Sequence, residues 1–101
     1  MMSVIGRQPV LWVSAKTLVG SGAYAESNME GWNRALQAAC PKYPSMRIFD
    51  WASVVKDGWF IPDGIHFSSE GYAARAHLIA DALAKAFPAA GPAASPSCVV
   101  R

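Results

Sequence analysis

QPVLWVSA, residues 8–15, is a short apolar run rich in β-branched residues, bounded by Pro9 and by the GSG at residues 20–22. Such a run predicts a buried strand rather than a helix. Its hydrophobicity is continuous instead of alternating, which suits a parallel sheet covered on both faces. Downstream, Met29, Trp32, Leu36 and Cys40 recur at helical spacing, predicting a helix over about residues 25–40 that Pro41 ends. MRIFDW, residues 46–51, reads as a second strand and leads into a loop containing Gly58, Pro62 and Gly64. The last element, about residues 69–87, places Tyr72, Ala76, Ile79, Ala80, Leu83 and Phe87 on one stripe, with Ser68 as its N-cap and Pro88 as its stop. Trp12, Trp32 and Trp51 read as core or near-core aromatics. The order strand, helix, strand, loop, helix predicts an α/β fold with two parallel strands and two helices.

Two parallel strands make a small sheet. A helix after each leaves backbone edges and apolar faces uncovered, so the pattern is that of the C-terminal portion of a larger α/β domain. The expected organisation is a partial domain over residues 1–87 and a flexible Ala/Pro-rich tail over 88–101. A chain of 101 residues with 52% hydrophobic and 16% charged residues is one that folds rather than stays disordered. The net charge of +2 arises from nine basic residues scattered singly among seven acids, which leaves no stripe for phosphate and argues against a nucleic-acid partner. No apolar run approaches the roughly 20 residues needed to span a bilayer. The N-terminus lacks the apolar region and cleavage site of a signal peptide. Cys40 and Cys98 fit neither a Cys-x-x-Cys pair nor a zinc framework, leaving a disulfide that ties down the tail or two unrelated thiols.

The chemistry concentrates in WFIPDGIHFSSEGYAARA, residues 59–76. A histidine acting as general base needs its second ring nitrogen held by an acceptor, and a carboxylate both holds it and stabilises the imidazolium. Asp63 and His66, three positions apart with Gly64 between them, can meet that need within one loop at the C-terminal end of a strand, where open α/β sheets place their sites. The competing reading of the spacing alone is an Asp-Gly turn followed by an incidental histidine. Trp59 and Phe60 are the expected substrate-pocket residues. Ser68 and Ser69 stand beside the base, but serines at a helix start cap it rather than attack substrate. His77 reads as a surface or boundary residue of the last helix. Three such residues without tight spacing make no metal site, and neither metal nor cofactor is expected.

The string DGIHFSSEGYAARAHLIADAL, residues 63–83, resembles the final block of the SGNH (GDSL-type) hydrolases, in which Asp-x-x-His precedes a capped helix beginning Pro-Glu-Gly; Ser69 stands at the proline position. VLWVSAK, YAESNMEGWNRALQAAC and MRIFDWASVVKDGWF look like the strand, helix and strand-loop that precede that block, so the resemblance covers residues 8–87. The arrangement is also similar to the exported SGNH domain of some bacterial membrane O-acyltransferases, which would make the chain extracytoplasmic. The resemblance implies a three-layer, flavodoxin-like α/β/α fold, an acyl-ester substrate, His66 as the base that activates a serine, and Asp63 as its orienter. The family's Gly-Asp-Ser-Leu-like nucleophile block has no counterpart here, nor do the glycine and asparagine that complete its oxyanion hole. Two expectations follow. One is the acid/base half of a serine esterase or O-acyltransferase, inactive without a missing N-terminal half; the other is a non-catalytic remnant that packs against another polypeptide. A free-standing binding module is disfavoured, because two strands leave too much apolar surface exposed.

Overall fold

A computed structural model describes residues 8–88 and 97–100. Its strands are β1 (Val10–Val13), β2 (Met46–Phe49) and β3 (Val99–Val100), and its helices are α1 (Glu26–Ala39), α2 (Trp51–Val54) and α3 (Ser69–Ala86). All strand pairings are parallel, in the order β1, β2, β3. The chain is therefore mixed α/β, with one strand more than the sequence pattern indicates.

The extra strand comes from the tail. Val99 and Val100 pair with Ile48 and Phe49, the Ile48 N–H donates to the Cys98 carbonyl at 2.7 Å, and Cys98 is disulfide-bonded to Cys40. Residues 97–100 thus return to the sheet instead of trailing from it; residues 89–96 and 101 of the expected tail lie outside the described residues. A two-residue strand carries no periodicity of its own, and only the cross-link 58 positions back and the open edge of β2 bring it there. β2 becomes the central strand, and Met46, Ile48 and Phe49 are the most deeply buried run in the chain.

Alternation along the strands divides the core into two layers. Val10, Trp12, Met46 and Ile48 face Leu36 and Cys40 at the end of α1. Leu11, Val13, Phe49 and Val100 face α3 through Ala82 and Ala86, together with Trp51 and Val55. Two details of the helices differ from the sequence pattern. In α3 the buried positions are Gly71, Ala82 and Ala86, whereas Tyr72 and Leu83 are 47% and 48% exposed. The inward face is rotated by about one residue: at Gly71 a Cβ would lie 2.8 Å from Trp59, and Leu78, Ile79 and Phe87 pack at the sides of the core. Trp32, expected in or near the core, is 41% exposed; it meets Trp12 edge-on at 6.1 Å on the rim of an apolar cleft lined also by Leu36 and Tyr43. No helix among the described residues is long and apolar enough to cross a membrane.

The loops at the C-terminal ends of the strands are tied to one another. Asn33 of α1 clamps Ala15 in both directions, accepting from its N–H at 2.8 Å and donating to its carbonyl at 2.7 Å. Ser14 Oγ donates to Asp50 at 3.0 Å and accepts the Ala52 N–H at 2.9 Å, joining the exits of β1 and β2. The Leu18 N–H donates to the Gly64 carbonyl at 2.8 Å, so the loop after β1 supports the loop that carries Asp63 and His66.

Candidate active site

Residues 59–68 fold as a narrow antiparallel loop. The Ser68 N–H donates to Trp59 O at 2.8 Å, the Ile61 N–H to His66 O at 2.9 Å, and Phe60 bridges Phe67. At the tip, the Gly64 N–H closes a turn onto Ile61 O at 2.9 Å, with Pro62 at the position whose φ proline presets. Gly64 sits at φ +72°, and an added Cβ would lie 3.3 Å from the Leu18 carbonyl carbon. Both facts call for glycine, since left-handed backbone and close approach each penalise a side chain.

This turn sets Asp63 to face its own downstream backbone. Asp63 Oδ1 accepts the N–H groups of Ile65 and His66, each at 2.9 Å, and Oδ2 lies 2.6 Å from His66 Nδ1. The carboxylate is thereby held by three donors, and its pKa falls from 3.8 to about 2, chiefly through the His66 side chain and then through the two backbone N–H groups. With an ionised partner on Nδ1, the neutral imidazole carries its proton there and presents the Nε2 lone pair outward. The His66 side chain is 64% exposed and makes no other hydrogen bond among the described residues. An oriented imidazole with a free basic nitrogen is what proton abstraction from a hydroxyl requires.

Ile65 and Phe67 turn inward on either side of His66, Phe67 meeting the buried Trp51 edge-on at 5.4 Å. The histidine therefore points away from the core, toward the surface. Trp59 stacks on Trp51 at 5.9 Å, and Phe60 packs on Phe67 at 4.8 Å. Both sequence-selected pocket residues are thus engaged in the aromatic cluster, and neither lines the apolar cleft beside Trp32 nor the one at the end of β1.

Ser68 caps α3, its Oγ accepting the Gly71 N–H at 3.2 Å. Among the described residues no serine hydroxyl is hydrogen-bonded to His66. His77 is 79% exposed and lies 3.5 Å from Asp81 one helical turn on. Sequence reasoning passed over Ser14, Asp50 and Arg75. Nothing in their local pattern marks them, since each acquires its role from a partner more than 20 positions away.

Compared with protein-family models, curated proteins and solved structures, the chain matches none.

Proposed function

We propose that the 59–68 loop is the acid/base element of an SGNH-type serine esterase or O-acyltransferase acting on an O-acyl ester, with carbohydrate as a natural acceptor or donor. The observation that carries this reading is the 2.6 Å contact between Asp63 Oδ2 and His66 Nδ1, made by a carboxylate whose second oxygen is already fixed by two backbone N–H groups. In this mechanism His66 Nε2 takes the proton of a serine hydroxyl as that oxygen bonds to the ester carbonyl carbon. The imidazolium returns the proton to the departing alcohol, leaving an acyl-serine. Water or an acceptor hydroxyl then attacks the acyl carbon, deprotonated by the same nitrogen. Asp63 stays ionised throughout and holds the ring.

The serine is supplied by polypeptide other than the described residues. Loss of the nucleophile from a triad costs on the order of 10⁶ in rate, so Asp63 and His66 alone are essentially inert.

A second reading, a non-catalytic unit that packs against another polypeptide, is favoured by a different observation. Among the described residues β1 pairs on one side only, and Tyr72 and Leu83 expose apolar surface on α3.

One experiment separates the two. The tagged chain, isolated from its own cells with whatever it binds, is treated with a fluorophosphonate probe and assayed with p-nitrophenyl acetate. Under the first reading a serine is labelled and the ester is turned over, and His66→Ala abolishes both. Turnover that His66→Ala leaves unchanged overturns the base assignment, and absence of labelling in the wild-type assembly favours the packing unit.

A further inference from the structure

A cleft of about 220 Å³ opens at the C-terminal end of β1, between the backbone of Val13 to Thr17 and the side chains of Ile65, Phe67 and Arg75. Its walls are largely apolar, with Trp51 contributing the floor. The charged side chains that line it are both cations, Lys16 and Arg75. The acids of the surrounding loops are engaged by other groups. Asp57 lies 3.4 Å from Lys16 Nζ, Asp50 accepts the Ser14 hydroxyl at 3.0 Å, and Glu26 accepts the Thr17 N–H at 3.3 Å.

Arg75 is different from Lys16. Its guanidinium lies 5.8 Å over the ring of Trp51, and its Nε is buried with no hydrogen-bond partner among the described residues. No carboxylate among the described residues pairs with it. A buried donor without an acceptor is costly, and a half-buried charge without a counter-charge more so. An anion seated on the guanidinium from the cleft would supply the missing counter-charge.

We propose that this cleft binds a small monocarboxylate with an apolar body. The carboxylate sits on the guanidinium of Arg75, and the hydrocarbon lies against Trp51, Ile65 and Phe67. The planar fork matches two carboxylate oxygens, and the ring beneath it holds the fork in place. The largely apolar walls favour an anion with a hydrocarbon body over a free phosphate, which would leave them uncovered. The aliphatic hydroxyls that a sugar would use are engaged, Ser14 Oγ by Asp50 and Ala52 and Thr17 Oγ1 by Tyr24 O at 2.5 Å. His66 does not line the cleft, so this inference stands independently of the ester chemistry.

The test is a titration of the 101-residue chain with sodium hexanoate, followed through backbone amide NMR shifts at constant ionic strength, with 1-hexanol as the uncharged counterpart. The expected result is saturable shifts at Ser14, Thr17, Ile65 and Phe67, with hexanol at least about tenfold weaker because it lacks the charge-assisted bond. Arg75→Gln should weaken hexanoate by a similar factor and leave hexanol unaffected; Arg75→Lys, which keeps the charge and loses the fork, should fall between. Hexanoate binding no tighter than hexanol in the wild-type chain overturns the proposal without reference to any variant. So does the absence of saturable shifts, or an Arg75→Gln chain that folds and binds hexanoate unchanged.

Discussion

Asp63 Oδ2 and His66 Nδ1 lie 2.6 Å apart within a single turn, while Asp63 Oδ1 accepts two backbone N–H groups of the same turn. The orienting carboxylate is therefore built into the local backbone and does not depend on a distant element to reach its histidine. Gly64 at φ +72° and Pro62 before it make that closure possible.

Asp63 should titrate well below an ordinary carboxyl. Its folded-state pKa is about 2 against 3.8, so the stabilisation it gives the loop is fully present above pH 3.8 and is lost as pH falls through about 2. Carboxyl ¹³C shifts report this directly. In His66→Ala the pKa should rise toward 3.8, since the His66 side chain is the largest cause of the depression, and it should stop short because the backbone donors remain. A wild-type midpoint near 4 would mean that the Asp63–His66 contact is not maintained in solution.

Asp63→Asn should preserve the turn and disturb the imidazole. The amide oxygen still accepts from Ile65 and His66, but the group opposite Nδ1 is no longer anionic and no longer holds the proton on Nδ1. The amide NH2 that faces Nδ1 can only donate, so ring ¹⁵N shifts of neutral His66 should change from the Nδ1–H to the Nε2–H form, and in an assembly that carries the serine turnover should fall less than in His66→Ala. An unchanged tautomer would assign the orientation to another acceptor.

Gly71→Ala should be destabilising although alanine is the better helix former. A Cβ there would lie 2.8 Å from both Cβ and O of Trp59, and 3.0 Å from Cβ of Phe67. Overpacking of this kind costs about 1–3 kcal/mol. Denaturant unfolding measures it, and a stability gain would mean that the 59–68 loop moves freely over α3.

Reduction of Cys40–Cys98 should release β3 and lower stability by about 4 kcal/mol on the loop-entropy relation for a closed loop of this length. The Ile48 and Asp50 amides, which donate to Cys98 O and Val100 O, should lose protection from hydrogen exchange first. Equal protection in a Cys40→Ser/Cys98→Ser chain would show that β3 docks through its valines alone.

The sequence by itself determined whatever depends on short-range pattern. The apolar runs at residues 8–15 and 46–51 are the strands β1 and β2, the three-four rhythms are the helices α1 and α3, Ser68 is the cap of α3, and Asp-x-x-His closes on itself. These features are legible because a cap, a turn or an amphipathic period is satisfied within a few residues. The remainder was decided only when distant segments met. Val99 and Val100 become a strand because a disulfide 58 positions long delivers them to the edge of β2. The inward face of α3 falls on Gly71, Ala82 and Ala86, Gly71 because a Cβ there would meet Trp59 and Phe67, while Tyr72 reaches Phe67 edge-on from the rim at 5.3 Å. Trp59 stacks on Trp51 and Phe60 packs on Phe67, contacts between residues that no local pattern pairs. Arg75, unremarkable on its helix, becomes an unpaired guanidinium over Trp51 for the same reason: a period of 3.6 predicts that a face will be covered, but only the opposing surface sets which residues fit it.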